Sequence, residues 1–359
     1  MMNDDSYGAN IGRGHSESRK NKGSAKEKRA GNSRYGKMNT VDKPADALNL
    51  MVYNTDEVPT RGYIGVLASM NYPNYSILSK ENLLDGRAES KDQKKILSQL
   101  AIGDDVVYDV LQTGLEIVGI IERRSKIARL HADESRNSTY NVKEHIIAAN
   151  IDMAIIVAST IQPQFQTGLV DRYLILCQYG GIKPLLCLTK IDLAPIPDLS
   201  MYKDSGVSIV GVSNKTHAGM EVLMERVEGK TCVLVGNSGV GKSSLINALL
   251  REEILPVNEV SEKSGKGRHT TTTTSLHQIG KSTFLIDTPG IRTLGLSEID
   301  ANVLRLYFPE FEKFAVNCKF SDCSHSHEPE CAVKVAVEEG KIPYGRYDSY
   351  VRLLGRAKK

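Results

Sequence analysis

The sequence predicts a multidomain α/β chain: a small β-barrel, then a parallel sheet with helices on both faces, then a small helical Cys/His-rich domain. Three observations lead there. Residues 47–147 hold short strand-like runs punctuated by Gly and Asn/Asp, residues 148–297 alternate apolar strand-like and helical segments, and residues 298–359 turn helical and then Cys/His-rich. A chain of 359 residues, 40% hydrophobic, is long enough to bury two or three cores.

Residues 1–46 are rich in Gly, Ser, Asn, Lys and Arg and lack apolar periodicity, so they read as a disordered basic arm. Residues 1–38 hold nine Lys/Arg against four Asp/Glu, a surplus of +5 within a net charge of +3, which leaves −2 for the rest. Any RNA contact must therefore come from this arm or from local patches. The barrel strands are LMVY, GYIGVLAS, YSIL, DVVYDVL and LEIVGIIE. Propensity does not separate an oligonucleotide-binding barrel from an SH3-like one. The charged stretch 79–95 reads as an inserted surface loop or short helix.

Candidate strands of the second domain are residues 153–159, 184–189, 207–213, 231–236 and 283–288, with helical patterns between them. Apolar strands alternating with helices indicate a parallel sheet covered on both sides. Cys177, Cys187 and Cys232 sit singly in apolar runs and read as small buried hydrophobes.

The strongest motif is GNSGVGKS, comprising Gly236, Asn237, Ser238, Gly239, Val240, Gly241, Lys242 and Ser243, with Ser244 next. A strand precedes it and a helix follows, the context a phosphate-binding loop requires. Glycines let backbone N–H groups converge on phosphate oxygens, and the helix N-terminus adds its dipole. Lys242 is expected on the β- and γ-phosphates and Ser243 on Mg²⁺. DTPG places Asp287 at a strand end to hold Mg²⁺ and Gly290 to reach the γ-phosphate.

TKID, with Thr189, Lys190 and Asp192, resembles the guanine-reading N-K-x-D motif. Asp192 would accept two hydrogen bonds from guanine that adenine cannot offer. Lys190 would pack its stem over the base. Thr189 replaces the usual Asn and alters one supporting bond. Ser213, in GVSNK, belongs to a loop whose backbone would meet guanine O6.

The base-reading motifs precede the phosphate loop, the reverse of the usual order. All these sites lie at the same strand ends of a parallel sheet, so a circular permutation preserves their convergence. A GTPase that binds GTP and GDP is the expectation. The stretch 261–275 reads as a mobile loop in which Thr271, or its neighbours Thr270 and Thr272, completes the Mg²⁺ shell. Ile291 stands where many GTPases have a water-orienting Gln, so His269 is the local catalytic candidate, alongside Lys242.

Cys318, Cys323, His325 and Cys331 match a closed structural Zn²⁺ site, with His327 as a rival fourth ligand. Zinc would stabilise a segment too short to build its own core.

Taken together, TKID, GNSGVGKSSL, GRHTTT, DTPGIR and CKFSDCSHSHEPECAV resemble the RsgA (YjeQ) family of bacterial small-subunit biogenesis GTPases. The resemblance spans about residues 47–355, AANID at 148–152 included. It implies an N-terminal OB-fold, a permuted GTPase and a C-terminal zinc domain. It further implies contact with 16S rRNA on the 30S subunit, stimulated hydrolysis, and His269 in the family's G-R-H-T-T loop. The basic arm and the 79–95 segment depart from that pattern. No run approaches the ~18–20 apolar residues of a membrane span, and the N-terminus lacks a signal core. A cytoplasmic monomer without membrane contact is expected. The alternative reading is a nucleotide-gated RNA-binding scaffold in which hydrolysis is not essential.

Overall fold

A computed structural model describes residues 50–54, 62–132, 142–252, 274–288 and 300–357. The first part is a curved, mostly antiparallel sheet of β1 (Met51–Tyr53), β2 (Tyr63–Asn71), β3 (Asn74–Ser79), β4 (Asn82–Arg87), β5 (Asp105–Leu111) and β6 (Gly114–Ile121). The strands run in the order β1-β6-β5-β2, with β3 on β2 and β4 on β3. Helix α1 (Lys91–Leu97) lies between β4 and β5. Ser90 caps it, its hydroxyl accepting from the Gln93 N–H at 3.0 Å, and Gln93 in turn bonds both backbone groups of Ile117.

The segment 79–95 is more than a surface loop: about a third of it, residues 82–87, is β4, hydrogen-bonded to β3 throughout, and residues 91–95 start the short helix α1. The strand escaped notice because NLLDGR lies at an edge and carries no apolar alternation. Strands β7 (Lys126–Ala132) and β8 (Val142–Ala149) form a separate hairpin that leads into the second part.

There β9 (Met153–Ser159), α2 (Thr167–Tyr179), β10 (Lys183–Thr189), β11 (Ser208–Gly211), α3 (Met220–Val227), β12 (Thr231–Gly236), α4 (Lys242–Glu252), β13 (Ser275–Gly280) and β14 (Thr283–Asp287) follow in order. The sheet order is β13-β14-β12-β9-β10-β11. Alternate residues of each strand face opposite layers, as the two-residue strand period requires. Ile156, Leu186 and Val233 pack with Val170, Leu174 and Cys177 of α2. Ile155, Cys187 and Leu234 pack with Leu223 of α3 and Leu245 and Leu249 of α4. The three lone cysteines are all buried, as their apolar settings predict.

The sheet is mixed rather than purely parallel. A two-residue connection joins β13 to β14, and so short a link permits only an antiparallel hairpin. Through β13 this sheet also joins the first one, by an antiparallel bridge between Ser275 and Ser69 of β2. One apolar core spans both parts, holding Leu67, Ile77 and Ile117 together with Ile156, Val233 and Ile286.

The last segment packs α5 (Ala301–Leu304), α6 (Pro309–Ala315), α7 (Ala332–Glu338) and α8 (Tyr344–Leu354) around Phe308, Phe311 and Tyr350. Tyr350 meets both phenylalanine rings edge-on, at 5.1 and 5.0 Å between centroids. Among the described residues no helix is long and apolar enough to cross a membrane.

Candidate nucleotide-binding site and metal centre

The phosphate-loop motif lies between the buried strand β12 and α4. Gly236 turns the chain at φ 150°, and a Cβ there would stand 2.3 Å from the Val157 carbonyl of β9, so no other residue fits. Asn237 is half-buried, Ser238 and Gly239 are exposed, and Val240 is buried beneath the turn. Lys242 Nζ donates to the carbonyls of Gly236 at 2.8 Å and Asn237 at 2.5 Å. Ser243 and Ser244 are exposed in the first turn of α4. The result is a cradle of backbone amides at a helix N-terminus, with one ammonium across it.

Two earlier loops close on this cradle. Thr189, fully buried at the end of β10, donates its hydroxyl to the Val240 carbonyl at 2.5 Å. The hydroxyl thus ties the loop after β10 to the phosphate-loop motif. Lys190, at φ 62°, donates to the Gly239 carbonyl at 3.1 Å and to the Gln162 carbonyl. Asp192 is exposed on the same turn. Asn214 Nδ2 donates to the Gly241 carbonyl at 3.4 Å, while its buried Oδ1 has no partner. Ser213 is buried, and its hydroxyl accepts from the N–H groups of Lys215 and Thr216 at 3.2 and 3.0 Å. These bonds shape the loop.

Asp287 ends β14, which runs parallel to β12, so the chain leaves the sheet at the same end as the phosphate loop. Directly across the hairpin is Ser275, whose hydroxyl is 2.9 Å from His277 Nε2. Burial holds the His277 imidazole below its ordinary 6.5 despite the opposing pull of Asp287, so it is neutral at pH 7. His269, Thr271 and Gly290 lie outside the described residues.

A second constellation lies in the C-terminal segment. One ligand atom each from Cys318, Cys323, His325 and Cys331 falls within 4.8 Å of every other. Cys318 Sγ and Cys331 Sγ are 3.9 Å apart, and both stand 3.6 and 3.5 Å respectively from His325 Nδ1. Zinc–sulfur and zinc–nitrogen bonds of ordinary length require tetrahedral edges of about 3.8 and 3.5 Å. The cluster could therefore hold a zinc ion. His327 is 85% exposed and hydrogen-bonded to Ser326, away from the sulfurs. Burial, with help from Arg305, pushes His325 down to about 4, which leaves it the neutral imidazole that a metal needs. Tyr347 donates to the His325 carbonyl at 2.9 Å and Arg305 to the Cys323 carbonyl at 2.7 Å, fixing the loop from outside.

With both sites in view, comparison with known proteins is informative. Residues 120–297 match the family described as RsgA GTPase. The protein named small ribosomal subunit biogenesis GTPase RsgA from Haemophilus influenzae (strain 86-028NP) is 40% identical over 290 residues, 78% of this chain and 82% of that one. The protein of the same name from Chlorobaculum parvum is 40% identical over 264 residues, covering 71% of this chain and 84% of its own.

The chain belongs to the RsgA GTPase family.

Solved structures agree on the RsgA-type architecture. YjeQ from Thermotoga maritima superposes with a TM-score of 0.64 at 29% identity, covering 82% of this chain and 97% of that one. YloQ, described as a circularly permuted GTPase, gives 0.62 at 28% identity, covering 82% and 95%. Sequence reasoning missed three residues of this RsgA-type site. Thr160 donates to the Lys190 carbonyl at 2.9 Å, Pro163 packs against Gly239, and Asn214 spans to Gly241. Asn214 sits in the GVSNK loop and was within reach. Thr160 and Pro163 belong to a connection with no motif of its own.

Proposed function

We propose that this chain hydrolyses GTP with Mg²⁺ and uses the cycle to time its own departure from a maturing small ribosomal subunit. The observation that carries the reading is the contact of residues 189–190 with Gly239 and Val240. It brings a guanine-reading loop against a phosphate loop in permuted order. Asp192 selects guanine, Gly236 to Gly241 and Lys242 hold the phosphates, and Ser243 and Asp287 hold Mg²⁺. Thr271 completes the metal shell and His269 orients the attacking water. The unpartnered Asn214 Oδ1 beside Gly241 supports a polar ligand here.

The division into modules follows the same reading: an arm at 1–46, a barrel at 47–147, the GTPase at 148–297 and a zinc-stabilised module at 298–359. The strand order β6-β5-β2-β3-β4, with α1 between β4 and β5, supports an OB-type barrel, partly open where β4 meets β6. Barrel and zinc module would grip 16S rRNA on the 30S subunit. The chain works there as a cytoplasmic monomer.

The deciding experiment is the GTPase rate with and without purified 30S subunits. The rate should rise and saturate with subunit concentration. No acceleration at saturating 30S would remove the ribosomal reading and leave the GTPase reading intact. Guanine selection has its own test. Asp192→Asn should cost GTP affinity by ~10³-fold or more relative to XTP, because a read polar group is lost for one base and regained for the other. Unchanged selectivity in competition binding would remove Asp192 from the base site.

A further inference from the structure

Helix α2 is held on opposite sides by two different parts of the molecule. On one side Asp171, fully buried, takes an ion pair from Arg346 of α8. Arg346 is itself 1% exposed, pairs also with Glu310 of α6, and stacks over Phe308 and Tyr202 at 4.7 and 5.6 Å from the ring centroids. Ile175 adds an apolar contact to the Phe308–Phe311 cluster. On the other side Tyr173, 4% exposed, packs in the apolar core that holds Val233 and Val235, the strand residues that lead into the phosphate loop. Residues two apart on a helix point about 200° away from each other. The loop that starts α2 is also pinned at the nucleotide site. Gln162 accepts from Lys190, the Ser159 hydroxyl donates to the Pro163 carbonyl at 2.6 Å, and Pro163 lies 3.6 Å from where a Gly239 Cβ would stand.

We propose that Arg346 is a positioning residue for the nucleotide site: from the C-terminal module it fixes α2, and α2 supports the phosphate loop through Tyr173, packed beside Val235, and through the loop that starts the helix. A packed helix moves as a rigid element, so a shift at its Arg346 side reaches the loop undiminished. Arg346 touches no nucleotide, and its effect passes through Asp171. The fork matters, since only a guanidinium meets Asp171 and Glu310 at once in fixed directions. The link offers a route between module and nucleotide that does not depend on the segment after Asp287. It rests on the nucleotide reading given above.

The test uses the full chain and a fluorescent GDP analogue, with thermal unfolding measured in parallel. Tyr173→Leu removes the ring packed beside the phosphate-loop strand and should raise the dissociation constant about three- to tenfold. Arg346→Lys should raise it about three- to tenfold, and the double variant should exceed the larger single effect by less than about twofold, because both act on one element. Multiplying effects would overturn the inference, as would an unchanged dissociation constant in Arg346→Lys beside a lowered unfolding temperature. If Arg346→Lys does not fold, Glu310→Gln, which touches neither α2 nor the loop, should weaken binding in the same direction, and no change there overturns it. Failure of the parent chain to bind the analogue would instead overturn the nucleotide reading, and the inference with it.

Discussion

Replacing Lys242 by alanine lowers GTP turnover by about two to three orders of magnitude, the usual loss when a preorganised charge facing the reacting group is removed. The side chain lies across the phosphate cradle, already within hydrogen-bond reach of the Gly236 and Asn237 carbonyls. Alanine removes the charge without touching the glycines that shape the turn. Nucleotide binding falls as well, but the loss at the transition state is the larger because charge develops on the γ-phosphoryl oxygens there. Single-turnover hydrolysis separates the two. The consequence on ribosomal particles divides the competing readings. A factor timed by hydrolysis either stays trapped on the subunit or fails to engage when Lys242 is alanine. A scaffold gated by occupancy matures subunits normally with the same variant.

Removing the metal from the Cys/His cluster has the second large effect. Chelation, or Cys323→Ser, should destabilise the C-terminal module by more than about 4 kcal/mol, the class of loss reserved for metals, disulfides and buried charges. The reason lies in the sequence between α6 and α7. Residues 316–331 contain no helix or strand and bury mainly the cysteines and His325. The sensitive readout is a calorimetric transition that separates from the main one on adding chelator and returns with Zn²⁺. An unaltered profile would show that the four residues do not bind metal. Acid should mimic the chelator. Burial pushes the Cys323 thiol up to about 12 without metal, so binding must expel its proton, and affinity falls as pH falls. His325 acts in the same direction. Its folded value, about 4 against an ordinary 6.5, gives a contribution fully present above 6.5 and lost progressively as pH falls towards 4.

Much of this was legible from residues alone, and the reason differs by element. The phosphate loop and its flanking strand and helix carry chemistry that tolerates few residue types, so motif and context coincided at Gly236–Ser244. The strands β9 and β12 match their expected bounds to the residue, because buried parallel strands are continuous apolar runs. What stayed hidden was relational. Strand β4 lacks alternation because it is an edge, and β13 reads as ordinary polar sequence. Asp171, Tyr173 and Arg346 look like routine helix residues, and only their burial against one another gives them weight. Spacing favours His325 only modestly over His327, since the two sit two apart, and the structure groups His325 with the three cysteines; its backbone is left-handed, φ 57°. Thr189 in place of Asn alters one supporting bond, and its hydroxyl reaches Val240 directly.

The bridge between Ser69 and Ser275 joins residues about two hundred positions apart, and that distance has a temporal meaning. A chain leaves the ribosome from its N-terminus at about 5–20 residues per second. The strands β1 to β6 therefore emerge well before β13 exists to pair with β2, and before Val233 and Ile286 can join the apolar core they share. For that interval the nascent N-terminal sheet carries an open strand edge, a natural point of attachment for a holding chaperone. A protein that helps finish ribosomes is thus itself one whose first domain cannot be completed until most of its own synthesis is over.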